Sequence, residues 1–331
     1  MAFAGFRHAH INCLYGLASR HPGIEIVAAC EENPKEAGGL LNGINITHNN
    51  FEKMLKEVEC DSIAVGDYYS KRGPIMIQAL KAGKHVLLDK PICVKMSELE
   101  EAEKLAKKKK LKIGAMLDLR MQPNFVRARE LILAGKLGEI TAVSFGGQHP
   151  LMLGSRPGWY FEKGKHGGTI NDIAIHGIDI VEWMTGLTFT EINAARTWNA
   201  FAKGIKHFND AAQFMLTMDN GCGVMGDVSY FSPDSCSYGL PYYWNMMFWG
   251  TKGVIRANIK DATLELACDG DKNISNIAQP SKMPPDYLEL FLMDINGKAG
   301  DLNTQTVIDI SRKTLKIQEA ADKKIKGIKL G

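Results

Sequence analysis

Short apolar runs and helical stretches alternate through the first third of this chain. IEIVAAC (24–30), DSIAVG (61–66), HVLL (85–88) and KIGAML (112–117) are apolar on both faces and bounded by polar residues or glycine, as buried parallel strands are. Between them lie helical stretches near 10–20, 34–42, 50–58, 71–82 and 97–110. That rhythm builds βαβ units, and βαβ units build a doubly wound parallel sheet. The helix at 97–110 is expected to open on a capping box of Ser97 and Glu100 and to close on Lys107 to Lys110. Acids first and lysines last suit the helix dipole, so the lysine run reads as a solvated helix end and not as a nucleic-acid patch.

From about residue 120 the rhythm changes. A helix (124–135) precedes a strand (139–147), then comes a glycine-rich loop and a strongly apolar helix at 169–185. Strands near 190–199, 208–219, 222–231, 242–249, 253–258 and 263–268 follow one another without helices between them, which predicts an antiparallel sheet and an α+β domain. Helices near 284–296 and 303–322 close the chain. The expected division is a Rossmann domain over 1–118 and a substrate-binding and oligomerisation domain with an open-faced antiparallel sheet over 119–331. Methionine and aromatic residues at 214–218, 224–231 and 242–250 predict a homodimer or homotetramer formed through that open face.

Composition excludes several classes. With 331 residues, 45% apolar and 23% charged, the chain is globular and long enough for two domains. It has no apolar run long enough to span a bilayer and no signal-peptide pattern at its start. Seven scattered cysteines without a C-x-x-C pair argue against a disulfide framework or a zinc site, and fit a reducing cytoplasm. A net charge of +3 is too small to signal nucleic acid.

Three constellations carry chemistry. Gly5-Phe6-Arg7-His8-Ala9-His10 follows a short strand and opens a helix, where a G-x-G-x-x-G dinucleotide turn would stand, but only its first glycine is present. Glu31 ends the second strand, where a carboxylate can accept from an adenosine ribose; a solvated strand end is the equal alternative. Arg7 could offer its guanidinium to phosphates. Lys90-Pro91 directly follows HVLL-Asp89, at the carboxyl end of a parallel strand, where ligands bind. The third is GGTINDIAIHGIDIVEWMTG (167–186), in which Asp172, His176 and Asp179 share one face of a helix that is otherwise apolar. A buried ionisable stripe is costly unless paired or used. Three readings stand: acid–base catalysis, a self-satisfied polar network, or a metal site drawing on His149, His166, Asp172 and His176.

These motifs, with D-x-I-A-V at 61–65, A-L-K-A-G-K-H-V-L-L-D-K-P at 79–91, G-K-L-G-E-I at 135–140, W-G-T-K-G at 249–253 and G-G-x-x-x-D-x-x-x-H-x-x-D at 167–179, resemble the Gfo/Idh/MocA family over nearly the whole chain. The resemblance implies a Rossmann domain followed by an open-faced sheet domain, a nicotinamide cofactor, and oxidation or reduction of a CH–OH group in a sugar, cyclitol or sugar-derived acid. It also implies Lys90, Asp172 and His176 as the catalytic set. A sensor that binds the dinucleotide without turnover, and a redox-assisted glycoside hydrolase, are the alternatives.

Three departures stand out. Asp89 replaces the family's usual glutamate before Lys-Pro. Arg7 and His10 replace glycines of the N-terminal turn. Gly66-Asp67-Tyr68-Tyr69 stands where T-P-N-x-x-H is common. Gly5, Phe6, Arg7, His8, Glu31, Asp67, Tyr68 and Lys90 are the expected cofactor contacts, with NAD favoured over NADP because Glu31 would repel a 2′-phosphate. His149, Arg156, Trp159 and Tyr160 in the loop at 147–166, with Asp179, are the expected substrate contacts, Arg156 as a clamp for a carboxylate. No resident metal is expected.

Overall fold

The computed structural model describes residues 1–330 and divides the chain into two compact units. The first gathers Met1–Met116, Pro157–Gly167 and Tyr287–Arg312; the second gathers Leu117–Arg156, Gly168–Asp286 and Lys313–Gly331. A single cut at 118 is therefore corrected: the first crossing falls within two residues of it, but two later segments return to the first unit. They return to bury aromatic surface. Trp159 and Tyr160 pack with Tyr69, and Phe291 lies over Gly114.

The first unit is built on five parallel strands, β1 (Ala2–Phe6), β2 (Ala28–Cys30), β3 (Ser62–Gly66), β4 (His85–Leu88) and β5 (Ile113–Ala115). Their order, β2-β1-β3-β4-β5, puts the topological switch between β1 and β3. A crevice for ligands opens outside the carboxyl ends of strands at such a point. The crossovers are α1 (His10–Arg20), α2 (Pro34–Ala37), α3 (Phe51–Glu57), α4 (Tyr69–Lys81) and α5 (Met96–Lys109). The helix expected at 34–42 is shorter and passes into a 3-10 turn at Gly38-Gly39. α5 starts one residue early, with Lys95 as its N-cap, so Ser97 lies inside the helix and the expected capping box does not form. Its lysine-rich last turn is as expected.

The second unit carries α6 (Pro123–Leu133), β6 (Ile140–Pro150), α7 (Ile175–Thr185), β7 (Phe189–Trp198), β8 (Ala211–Met218), β9 (Gly223–Ser232), β10 (Trp244–Gly250), β11 (Gly253–Asn258), β12 (Thr263–Cys268) and β13 (Ser275–Ala278). Late in the chain, α8 (Tyr287–Ile295) and the first half of α9 (Thr304–Lys323) belong to the first unit. The rest of α9 and β14 (Ile328–Lys329) belong to the second. The nine strands order as β13-β12-β11-β10-β6-β9-β8-β7-β14. All pairs are antiparallel except β6 with β9, which run parallel, so the sheet is mixed rather than purely antiparallel. α7 presses closely on this sheet: a Cβ at Gly177 would stand 2.1 Å from the ring of Phe145, so only glycine permits the approach. Among the described residues no helix is long and apolar enough to cross a membrane.

Candidate active site

In the first unit the β1–α1 turn is drawn tightly against the end of β3. Gly5 sits at φ +78°, and a Cβ there would meet Asp67 Cβ at 2.6 Å, so the floor of the crevice is bare backbone. This is the cradle a dinucleotide pyrophosphate approaches, with the amino end of α1 above it. The adenosine end departs from expectation. Glu31 is completely buried; its Oε2 accepts from Phe6 N–H (2.7 Å) and its Oε1 from Arg7 Nε and Asn33 N–H (both 2.8 Å). Arg7 also pairs with Glu36. Glu31 thus clamps the turn from below, and the expected ribose contact and solvated strand end are both replaced by a buried ion pair.

Asp89, at the end of β4, gathers the rest of this wall. Its Oδ2 lies 2.7 Å from Arg72 Nη2 and 2.5 Å from His8 Nδ1, and its Oδ1 lies 3.2 Å from His10 Nδ1. Burial opposes its ionisation, yet the Arg72 guanidinium and the two imidazoles outweigh burial and hold the carboxyl well below its ordinary range. Lys90, next along the chain, is buried, and its carbonyl accepts from Arg72 Nη1. Asp67 accepts from Tyr68 N–H (2.8 Å) and pairs with Lys71 (3.1 Å); burial nevertheless pushes its carboxyl up.

Trp159 and Tyr160, expected to meet substrate, are buried in this same unit. Trp159 Nε1–H donates to Arg7 O (3.0 Å), the Tyr160 and Tyr69 hydroxyls are 2.7 Å apart, and both rings lie within 6.3 Å of His8. They cover the β1–α1 turn. The loop reading missed this because a loop's sequence says nothing about which unit it packs on.

In the second unit, Asp172, His176 and Asp179 are all buried, but they do not form one stripe. Residues Ile170–Ala174 form a π-helical turn ahead of α7, and π turns are frequent at functional sites. Asp172 lies within this turn and meets β9, where Tyr230 donates its hydroxyl proton to Asp172 Oδ2. His176 Nδ1 has Asp118 Oδ1 at 3.6 Å, and its ring stands 5.8 Å from that of Trp244. Asp179 is held by Arg120, whose Nε lies 3.0 and 3.2 Å from the two carboxylate oxygens and whose Nη2 lies 2.5 Å from Oδ1. Asp179 therefore belongs to a buried ion pair and is withdrawn from the expected substrate contacts.

His149 stands among Tyr243 (4.8 Å between ring centres), Tyr238 (5.8 Å), Trp244 (6.0 Å) and Tyr230 (6.3 Å). Burial, with Asp118 and Tyr238 nearby, pushes the Tyr243 hydroxyl far above its usual value, so it stays protonated. Arg156 is spent: Nη2 donates to Pro150 O (2.7 Å), Nε to Leu151 O (3.0 Å), and the guanidinium stacks 5.3 Å over Tyr230. The expected clamp for a carboxylate is instead a fastener of its own loop. Asp118, Tyr230, Tyr238, Tyr243 and Trp244 were missed from sequence, because strand residues far apart in the chain carry no spacing signal. The alternative metal set divides, His166 lying in the first unit and the other three in the second.

Comparison with known proteins bears directly on this arrangement. Residues 3–116 match the NAD-binding Rossmann-fold description of the Gfo/Idh/MocA oxidoreductase family, and residues 125–256 match the C-terminal domain of the same family. The chain belongs to the Gfo/Idh/MocA family. Within it, the chain is similar to the rhizopine catabolism protein MocA of Rhizobium meliloti, at 25% identity over 65% of this chain and 64% of that protein. An inositol 2-dehydrogenase of Rhizobium meliloti strain 1021 shares 21% identity over 73% of this chain and 71% of its own length. A solved structure, a putative oxidoreductase from Thermotoga maritima, superposes with a TM-score of 0.84 at 24% identity, covering 99% of each chain. The match to MocA thus spans less than two thirds of that relative. The Gfo/Idh/MocA assignment makes the first unit an NAD-binding oxidoreductase domain, which the bare crevice floor accommodates.

Proposed function

We propose that the protein is an NAD-dependent dehydrogenase or reductase acting on a CH–OH group of an uncharged sugar or cyclitol. The observation that carries this reading is His176, a buried imidazole with a carboxylate at Nδ1, on the same unit as Asp172. In the oxidation direction His176 accepts the proton of the reacting hydroxyl. Asp118 stabilises the imidazolium that results, and Tyr230 holds Asp172 in one orientation. Lys90, in the first unit, is the other member of the catalytic set that the family resemblance implies, and it would supply positive charge. The bound nicotinamide supplies the acceptor for hydride. Gly5 to His8, Asp67, Tyr68 and Lys90 hold the dinucleotide.

The choice of a neutral substrate rests on Arg156. Its Nε and Nη2 are turned to the carbonyls of Leu151 and Pro150, while Asp118 and Asp172 repel a second anion. The partly exposed rings of Tyr238 and Tyr243 offer faces on which a pyranose or cyclitol stacks. Fluorescence titration with NAD(H), followed by a panel of polyols, sugars and sugar acids read at the reduced-cofactor band, tests this. Turnover on a neutral polyol is expected; binding without turnover on any member would favour a sensor.

NAD(H) is expected to bind tighter than NADP(H) by roughly tenfold or more, about 1.4 kcal/mol. Arg7 is neutralised by Glu31 and Glu36, and Lys71 by Glu32 (2.7 Å) and Asp67, so neither cation beside the end of β2 is available to a 2′-phosphate. Calorimetric titration with both dinucleotides checks it, and equal affinities would refute it.

The protein is expected to be a homodimer or homotetramer through the outward face of the nine-stranded sheet. Met215, Met225 and Trp249 are about half exposed there, beside a shallow groove that Ser144, Arg196, Gln213 and Asp227 also line. Large apolar side chains on an open sheet face call for a partner. Light scattering at micromolar concentration should give at least twice the 36.5 kDa chain mass.

A further inference from the structure

Two of the chain's departures from the family pattern meet at one point in the first unit. His10 stands where the turn's third glycine would be, and Asp89 stands where glutamate precedes the lysine. His8, between the glycine positions, completes the group. His8 Nδ1 is 2.5 Å from Asp89 Oδ2, His10 Nδ1 is 3.2 Å from Asp89 Oδ1, and the ligand atoms of all three residues lie within 4.8 Å of one another. We propose that His8, His10 and Asp89 form a binding site for a borderline divalent ion, zinc above all, set into the β1–α1 turn.

Two imidazole nitrogens and one carboxylate oxygen suit zinc, cobalt or nickel. Bonds of roughly 2.0–2.2 Å in a tetrahedral site put donor atoms about 3.3 Å apart. The His10–Asp89 pair already has that spacing at Oδ1, while His8 Nδ1 stands 2.5 Å from the other oxygen, Oδ2, and must swing away from it to join the set.

The surrounding contacts are those that orient metal ligands. Arg72 Nη2 holds Asp89 Oδ2 at 2.7 Å, which leaves Oδ1 to the ion. His8 Nε2 lies 3.3 Å from the Tyr69 hydroxyl, which is itself 2.7 Å from that of Tyr160. At 2.5 Å from Asp89 Oδ2, Nδ1 carries the proton when no ion is bound; ion binding displaces it, after which Nε2–H donates to Tyr69 and the Nδ1 lone pair is free for the ion. The His10 side chain, 39% exposed, provides the entry path and leaves a fourth position open to water or a ligand. Arg72 subtracts from the negative charge of the site, so affinity falls short of that of a structural zinc finger.

The test uses the full-length protein, stripped with a chelator and titrated with cobalt(II). A saturable visible d–d band of tetrahedral intensity is expected at one equivalent per chain, bleached by one equivalent of zinc(II). His10→Ala, at a partly exposed position, should keep the circular dichroism and melting temperature and weaken binding at least tenfold. Tyr69→Phe should weaken it less. His207→Ala, on the second unit, should leave it unchanged. No saturable band, or equal affinities for His10→Ala and His207→Ala, would overturn the proposal.

Discussion

His176→Asn and Lys90→Met each lower turnover by roughly 10²–10⁴-fold on the substrate found by the panel. Asparagine keeps the size and a hydrogen-bonding group at 176 but cannot accept the proton. Methionine keeps most of the apolar stem of Lys90 and removes its charge. Dinucleotide affinity stays within about tenfold, because the pyrophosphate cradle and the buried Arg7–Glu31 clamp are untouched and Lys90→Met removes one contact among several. Asp118→Asn is milder, lowering turnover because the imidazolium formed at His176 loses the carboxylate 3.6 Å from its Nδ1. Pre-steady-state and steady-state kinetics at several pH values separate these effects. If both principal variants fold and keep full activity, the chemistry lies elsewhere.

Asp179→Asn, one helical turn further along α7, has a different consequence. The guanidinium of Arg120 is 5% exposed and stays buried without its counter-ion, which costs about 3–5 kcal/mol. For a domain of this size that lowers the melting temperature by on the order of 10 °C. The double variant Arg120→Met/Asp179→Leu recovers much of the loss, since a buried pair replaced by apolar groups of similar volume is often neutral. Calorimetry of the three variants checks this. An unchanged melting temperature in Asp179→Asn, together with a raised KM, would return Asp179 to the substrate contacts.

Strand and helix placement was legible because burial writes a period into the chain. The runs at 85–88, 253–258 and 263–268 coincide with β4, β11 and β12. Pairing left no such trace. β6 and β9 are separated by the whole of α7 and two further strands, and nothing local marks them as parallel neighbours. The π turn was equally silent, since INDIA has the same apolar and polar makeup in an α- or a π-helix. Consequently the residues Asp172, His176 and Asp179 were rightly singled out as a buried ionisable group, but their partners were not foreseen. Those partners, Tyr230, Asp118 and Arg120, come from elements 58, 58 and 59 residues away in sequence. Glu31 shows the same limit: its position marked it, while the direction of the Arg7 side chain decided its role.

The return of residues 287–312 to the first unit bears on how the chain is made. The sheet β2-β1-β3-β4-β5 is translated long before Phe291 exists to cover Gly114, with about 170 residues, most of them of the second unit, translated in between. At roughly 5–20 residues per second that interval is about 10–30 s. Through it the outer edge of β5 stays uncapped, and Asp294, which later accepts from Lys112 Nζ (2.7 Å) and Thr304 N–H (2.8 Å), is not yet synthesised. A fragment ending at 118 lacks Phe291, Asp294 and Thr304, and so leaves open the surface of β5 that they cover in the full chain.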